Sequence, residues 1–177
     1  SNPNPLKLYK YNALGQRVYD EHFSGTDRSI HYNQDGSYQA RYNYWADPAK
    51  VRGTNEWIYL NGIPVAQIKT NIDAGGVVTS KQTTYIHTDQ LGTPRLMTSA
   101  AQNVVWRWDS DAFGEEGIDN DPDGNGINTY LALRFPGQLS GSGSKLYYNY
   151  YRDYDPATGR YVQSDPIGLI GGLNTYG

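Results

Sequence analysis

Carboxylates are the side chains of this sequence with the clearest capacity for chemistry. Asp119, Asp121, Asp123 and Asn125 set oxygen-bearing side chains at alternate positions around a glycine, the arrangement of a calcium loop. Tyr130 occupies the twelfth position, where an EF-hand carries a bidentate Glu, and Pro122 and Gly126 also fit a solvated surface loop. Asp165 opens Asp165-Pro166-Ile167-Gly168, which taken alone is type I turn chemistry: Asp at i, Pro at i+1, Gly at i+3. Asp153 or Asp155 with Asp165 would supply a glycosidase with its two carboxylates, roughly 5 to 10 Å apart in one cleft, but nothing in the sequence marks such a cleft. His22, His31 and His87 lack metal-ligand spacing and have no neighbouring nucleophile. His87 alternates with Tyr85 and reads as a packed or hydrogen-bonded strand residue. Gly75-Gly76 and Gly171-Gly172 lack the Lys and Ser or Thr of a phosphate loop and read as turns. With no Cys, disulfides, thiol catalysis and zinc–thiolate sites are excluded together.

The elements that must position these groups are strands. Period-two alternation puts Tyr38, Ala40, Tyr42 and Tyr44 on one face and Gln39, Arg41 and Asn43 on the other. It also sets Val104, Trp106 and Trp108 opposite Val105, Arg107 and Asp109. One further run, Leu146, Tyr148, Tyr150, Arg152 and Tyr154, alternates with Tyr147, Asn149, Tyr151, Asp153 and Asp155. No helical period is sustained. Asp47 to Gly53 is the exception, with a cap, an N1 proline and a terminal glycine for a single helical turn. Turn signals fall at Leu14-Gly15, Asp35-Gly36, Asn61-Gly62, Gly75-Gly76, Leu91-Gly92, Asp123-Gly124 and Thr158-Gly159. Asp35-Gly36 and Asn61-Gly62 are the best candidates for type I′ hairpin turns.

An internal repeat underlies this pattern. Tyr9-Lys10-Tyr11-Asn12-Ala13-Leu14-Gly15-Gln16-Arg17-Val18 is its fullest copy, and looser copies run from Tyr85 to Leu96 and from Tyr154 to Val162. The unit is a strand, an Asx–Gly turn, and a returning strand that starts with Arg. Each hairpin is marginal alone and needs neighbours to cover its aromatic face.

Composition agrees with a β protein. The 177 residues include 17 Tyr, 4 Trp and 3 Phe within a hydrophobic share of only 37%, which favours pleated, half-wet surfaces over an oily helical core. A net charge of −3 without a basic stripe argues against nucleic acid as a partner. No apolar run approaches the roughly 18 residues of a membrane span. Ser1-Asn2-Pro3-Asn4-Pro5 has neither the basic start nor the apolar stretch of a signal peptide, and both ends read as cuts through something longer.

The Tyr9–Val18 block resembles the tyrosine-aspartate (YD) repeat of RHS proteins. Two longer blocks resemble the RHS-associated core domain. The first is Tyr85-Ile86-His87-Thr88-Asp89-Gln90-Leu91-Gly92-Thr93-Pro94-Arg95, continued by Val105-Trp106, Asp111-Ala112-Phe113-Gly114 and Leu133-Arg134-Phe135-Pro136-Gly137-Gln138. The second runs from Tyr147 through Tyr161, followed by Ser164-Asp165-Pro166-Ile167-Gly168-Leu169 and Gly172-Leu173-Asn174. The resemblance implies YD hairpins over 1–84 and a core domain over 85–177, cut before its second Asp-Pro-x-Gly motif. It implies an all-β fold, a curved antiparallel sheet forming an open slice of a spiralling β-shell, which encloses a carboxy-terminal toxin in bacterial polymorphic toxins. Members that cleave themselves by aspartyl chemistry use an Arg and two Asp. Arg152 and Asp165 fall on the Arg and the first Asp, and the second Asp lies beyond the chain.

The expectation is therefore a structural piece of a toxin container, from a protein secreted or delivered at the cell surface. Its partners would be the toxin cargo and the remaining shell, and no cofactor is expected unless calcium binds the 119–125 loop. The intact parent would cleave itself, and this chain alone would not. The alternative is a module binding carbohydrate or a cell surface through exposed aromatic stripes. Exposed sheet edges would favour self-association of the piece.

Overall fold

The computed structural model describes residues 8–21, 27–45, 49–141, 145–172 and 174–176. The chain divides into two compact units, Ser1–Thr84 and Tyr85–Gly177. Both are built of antiparallel hairpins, and no α-helix occurs among the described residues.

The first unit contains β1 (Leu8–Tyr11), β2 (Arg17–Glu21), β3 (Arg28–Tyr32), β4 (Tyr38–Tyr44), β5 (Val51–Leu60), β6 (Ile63–Ile72) and most of β7 (Val78–Thr88). Each strand bonds to the next in sequence order. Register lines up Arg28, Asn43, Gly53 and Asn71 across four strands, with Arg41, Asn55 and Lys69 in a parallel row. Ile30, Tyr38, Ala40 and Trp57 are buried, and the Trp57 indole N–H donates to Gln67 Oε1 at 2.9 Å across the strand pair. The alternation in β4 holds for Tyr38, Gln39 and Ala40 but breaks at Arg41, which is buried as well.

The helical turn expected over residues 47–53 is not found at its described end, residues 51–53. Asp47 and Pro48 lie outside the described residues, but Val51, Arg52 and Gly53 belong to β5. Val51 pairs with Tyr44 of β4, and Gly53 pairs with Asn43 of β4 on one side and Asn71 of β6 on the other. Gly53 serves close approach rather than helix termination: a β-carbon there would sit 2.5 Å from the Thr70 carbonyl oxygen of β6.

One turn design recurs. At Asn12, Asn33, Asp73 and Asp89 the backbone N–H donates to the carbonyl four residues on, and the glycine three residues on donates back. At Asn12, Asp73 and Asp89 the side-chain Oδ1 also accepts the N–H groups two and four residues ahead, at 2.9–3.0 Å. Asn61 and Gly62 both have positive φ and join Leu60 to Ile63, as a type I′ hairpin requires. Asp35-Gly36 does not form that turn. Only Gly36 has positive φ, and Asp35 Oδ1 accepts the Ser37 N–H and hydroxyl within the longer loop. The third repeat copy is wider: Gly159 donates to Asp155 four residues back.

The second unit contains the end of β7, β8 (Pro94–Thr98), β9 (Val104–Trp108) and β10 (Ile118–Asp119), hydrogen-bonded in that order. A four-stranded sheet follows: β11 (Leu139–Ser140), β12 (Tyr147–Asn149), β13 (Arg152–Asp155) and β14 (Arg160–Tyr161), then a short 3-10 turn at Gly168–Gly171. Met97, Trp106, Trp108, Leu131, Ala132 and Leu133 form the core. Around Trp108 the rings of Phe135 and Tyr147 lie at 5.4 and 6.5 Å, and Tyr154 links Tyr147 to Tyr161 at 6.4 and 5.6 Å. Two tyrosine hydroxyls find carbonyl acceptors, Tyr147 at Gly114 (2.7 Å) and Tyr154 at Phe113 (3.1 Å), as wide rings with a polar tip must.

The alternating run expected over 146–155 is two strands, not one. Tyr150 and Tyr151 turn the chain, Tyr150 with φ +54°, so that Asn149 faces Arg152 and Tyr147 faces Tyr154. Residues expected on opposite faces of a single strand become cross-strand partners.

Candidate functional site

Arg152 begins β13 opposite Asn149 of β12, and Tyr161 ends β14, so three short strands bring these side chains to one end of the small sheet. The Arg152 guanidinium lies 3.6 Å over the centre of the Tyr161 ring. Its Nη1 stands 3.3 Å from Asp165 Oδ2. Asn149 Nδ2 donates to the Tyr161 hydroxyl at 2.6 Å. Arg152 and Asp165 are both largely buried, 17% and 25% exposed, so their attraction is screened less than that of a surface pair.

Asp165 divides its work between its two oxygens. Oδ1 accepts the Ile167 N–H at 3.0 Å and the main-chain carbonyl accepts Gly168 N–H at 2.9 Å, so the Asp-Pro-x-Gly turn forms. Oδ2 faces Arg152, and the Asp165 N–H donates to the Thr175 carbonyl at 2.7 Å. A carboxylate fixed in this way and faced by a guanidinium can hold a carbonyl or a water in a defined direction.

The other candidates serve local structure. Asp153 exchanges hydrogen bonds with Gln163, its N–H donating to Oε1 at 2.7 Å and its Oδ2 accepting Nε2 at 3.3 Å. Asp155 Oδ1 accepts Ala157 N–H at the head of the β13–β14 turn. In the 119–125 loop, Asp119 Oδ1 accepts Asp121 N–H. The Asp121 carboxylate accepts Asn125 and Gly126 N–H, and Asp123 Oδ2 accepts the Asn125 amide. No group of three His, Cys, Asp or Glu able to hold a metal ion occurs among the described residues. His31 packs on Tyr42 at 4.7 Å and His87 contacts the Thr98 hydroxyl at 2.9 Å; His22 lies outside the described residues.

Sequence reasoning missed Tyr161 and Asn149. The available signal was spacing: a two-residue link, Tyr150-Tyr151, between Asn149 and Arg152 fits a hairpin as well as a continuous strand. The arginine of the repeat, by contrast, has a clear task. Arg17 is buried over the Tyr9 ring at 3.9 Å. Arg95 pairs with Asp89 at 3.0 Å and lies 5.5 Å from the Trp108 ring centre.

Residues 84–116 match the model of the RHS protein family. The chain is 39% identical over 95 residues to double-stranded DNA deaminase toxin A of Burkholderia cenocepacia, an alignment covering 52% of this chain and 6% of the toxin. It is 30% identical over 176 residues to the probable deoxyribonuclease RhsA of Dickeya dadantii, covering 96% of this chain and 11% of that protein. It spans about half or less of the length of these and other curated relatives it matches. Among solved structures, a crystal structure of TcdB2-TccC3-TEV superposes with a TM-score of 0.67 at 20% identity, over 96% of this chain and 8% of that one. At that identity the likeness is one of fold.

Antiparallel hairpins joined by a shared Asx-x-x-Gly turn, with arginines stacked on tyrosine and tryptophan, define a hairpin-repeat β protein. Within that class, the chain is similar to RHS-repeat proteins, among them relatives named as a deaminase toxin and a probable deoxyribonuclease.

Proposed function

We propose that this chain is part of an RHS container around a carboxy-terminal toxin, and that Arg152 and Asp165 contribute to the aspartyl-type self-cleavage that frees the cargo. Residues 1–84 supply wall hairpins and 85–177 the core domain. The observation that carries the reading is the ion pair: residues thirteen positions apart stand at 3.3 Å, largely buried, beside an aromatic cluster. Two close carboxylates cannot both ionise and so share a proton, which lets one activate water while the other protonates the amide. Asp165 is one of them. The intact parent supplies the second, and Arg152 fixes the orientation of the pair. The cargo and the remaining shell are the partners, and the parent is exported from a bacterial cell.

The burial of Trp57, Trp106 and Trp108 favours a wall over a module that stacks sugars on exposed rings. Expression of the intact parent, followed by intact-mass measurement, tests the proposal. Two fragments are expected from the natural sequence and a single uncut species from Asp165→Asn. Cleavage that persists in Asp165→Asn removes Asp165 from the chemistry.

A further inference from the structure

The Arg152–Asp165 contact is short, but Nη1 makes no aligned hydrogen bond although it is buried. Coulomb attraction without alignment sets a distance and leaves the guanidinium plane free to tilt. The plane is defined instead by the Tyr161 ring 3.6 Å beneath it. Tyr161 is held at three points, two on its side chain and one on its backbone. Its hydroxyl accepts the Asn149 amide at 2.6 Å, its backbone N–H donates to the Tyr176 carbonyl, and its edge meets Tyr154 at 5.6 Å and 70°. Asn149 is also the cross-strand partner of Arg152. The amide that holds the ring and the arginine that rests on it are therefore set by one hairpin. Opposite Asn149, Gly137 leaves just enough room, since a β-carbon there would meet Asn149 Oδ1 at 3.2 Å.

We infer that Tyr161, tethered by Asn149, is a positioning residue that fixes the plane of Arg152 toward Asp165. The inference rests on the cleavage reading for its consequence in the parent, but the positioning itself is a property of this chain. A face of π density holds a guanidinium at defined height and tilt, and the catalytic penalty for losing such placement is steep. Tyr161→Leu is expected to slow self-cleavage of the parent on the order of ten- to a hundredfold. Tyr161→Phe keeps the face and loses the tether, so its rate should stay within roughly threefold of the natural protein. Tyr161→Met retains bulk without a ring and guards against a folding defect as the explanation.

Two measurements on the 177-residue chain decide the inference without cleavage. The Arg152 side-chain protons should show an upfield ring-current shift in NMR spectra that survives Tyr161→Phe and disappears in Tyr161→Met. In a double-mutant cycle, Asp165→Asn should lower the unfolding midpoint in the Tyr161 and Tyr161→Phe backgrounds and lose most of that effect in Tyr161→Met. Met and Phe variants that behave alike in both measurements overturn the positioning role. A parent that cleaves in Asp165→Asn overturns the cleavage reading alone.

Discussion

At Asp89 one carboxylate closes a turn and pairs an arginine. Oδ1 accepts Leu91 and Thr93 N–H, and Oδ2 accepts Arg95 Nε at 3.0 Å. Burial pushes this carboxyl upward, but the two N–H groups and the guanidinium outweigh it and hold it below the ordinary aspartate range. Asp35 is lowered too, chiefly by the Ser37 hydroxyl and N–H. A carboxyl whose folded pKa is depressed adds stability that is complete above its unfolded value and disappears as pH falls through the folded one. The loss should begin as pH drops through about 4. Asp89→Asn is expected to be less stable than the natural chain at neutral pH and to lose less on acidification, as urea unfolding at the two pH values would read. Equal acid sensitivity in both proteins would remove Asp89 from the account.

At the scale of elements, the turn between β8 and β9 shows what the common design demands. Ser99 to Asn103 makes the same pair of backbone bonds as the glycine turns, Ser99 N–H to Asn103 and Gln102 N–H back to Ser99, both at 2.9 Å. Gln102 fills the glycine position with φ +67°, a conformation that crowds a β-carbon. Gln102→Gly should therefore stabilise the second unit, by about 0.5–1 kcal/mol after glycine's entropic cost is set against the strain. Gly53→Ala should act in the opposite sense. Its methyl would strike the Thr70 carbonyl and force β5 from β6, at about 1–3 kcal/mol. Thermal unfolding of the two variants checks both signs.

These turns also explain what was legible in the sequence. Where glycine carries the positive φ, at Gly15, Gly36, Gly76 and Gly92, the turn could be found from residue type. Where Gln102 or Tyr150 carries it, residue type gives no warning, and the 146–155 hairpin reads as one alternating strand. Arg152 and Asp165 could be named because the family resemblance singles them out. Asn149 and Tyr161 had only the two-residue Tyr150-Tyr151 link as a hint, because their roles exist once three strands are in register.

At the scale of the whole molecule, strand edges and apolar surface matter most. Among the described residues β1 has a strand neighbour on one side only, and Leu8 and Tyr11 on it are about half exposed. An open edge with apolar side chains is a template for another strand. In the second unit Ile167, Leu169 and Ile170 are also exposed, Ile170 at 94%. The isolated 177-residue chain should therefore self-associate, its sedimentation coefficient rising with concentration. Leu8→Lys with Tyr11→Lys should reduce that rise if β1 is the contact. A coefficient independent of concentration in the natural chain would refute the association.

The sequential strand order has a kinetic corollary. In each unit every ladder joins strands adjacent along the polypeptide, so no strand waits for a distant partner to be synthesised. Loop closure is therefore short at each step, and the Asx turns satisfy their own polar groups before any neighbour arrives. Such a chain can zip up hairpin by hairpin as it leaves the ribosome, each finished pair serving as the seed for the next.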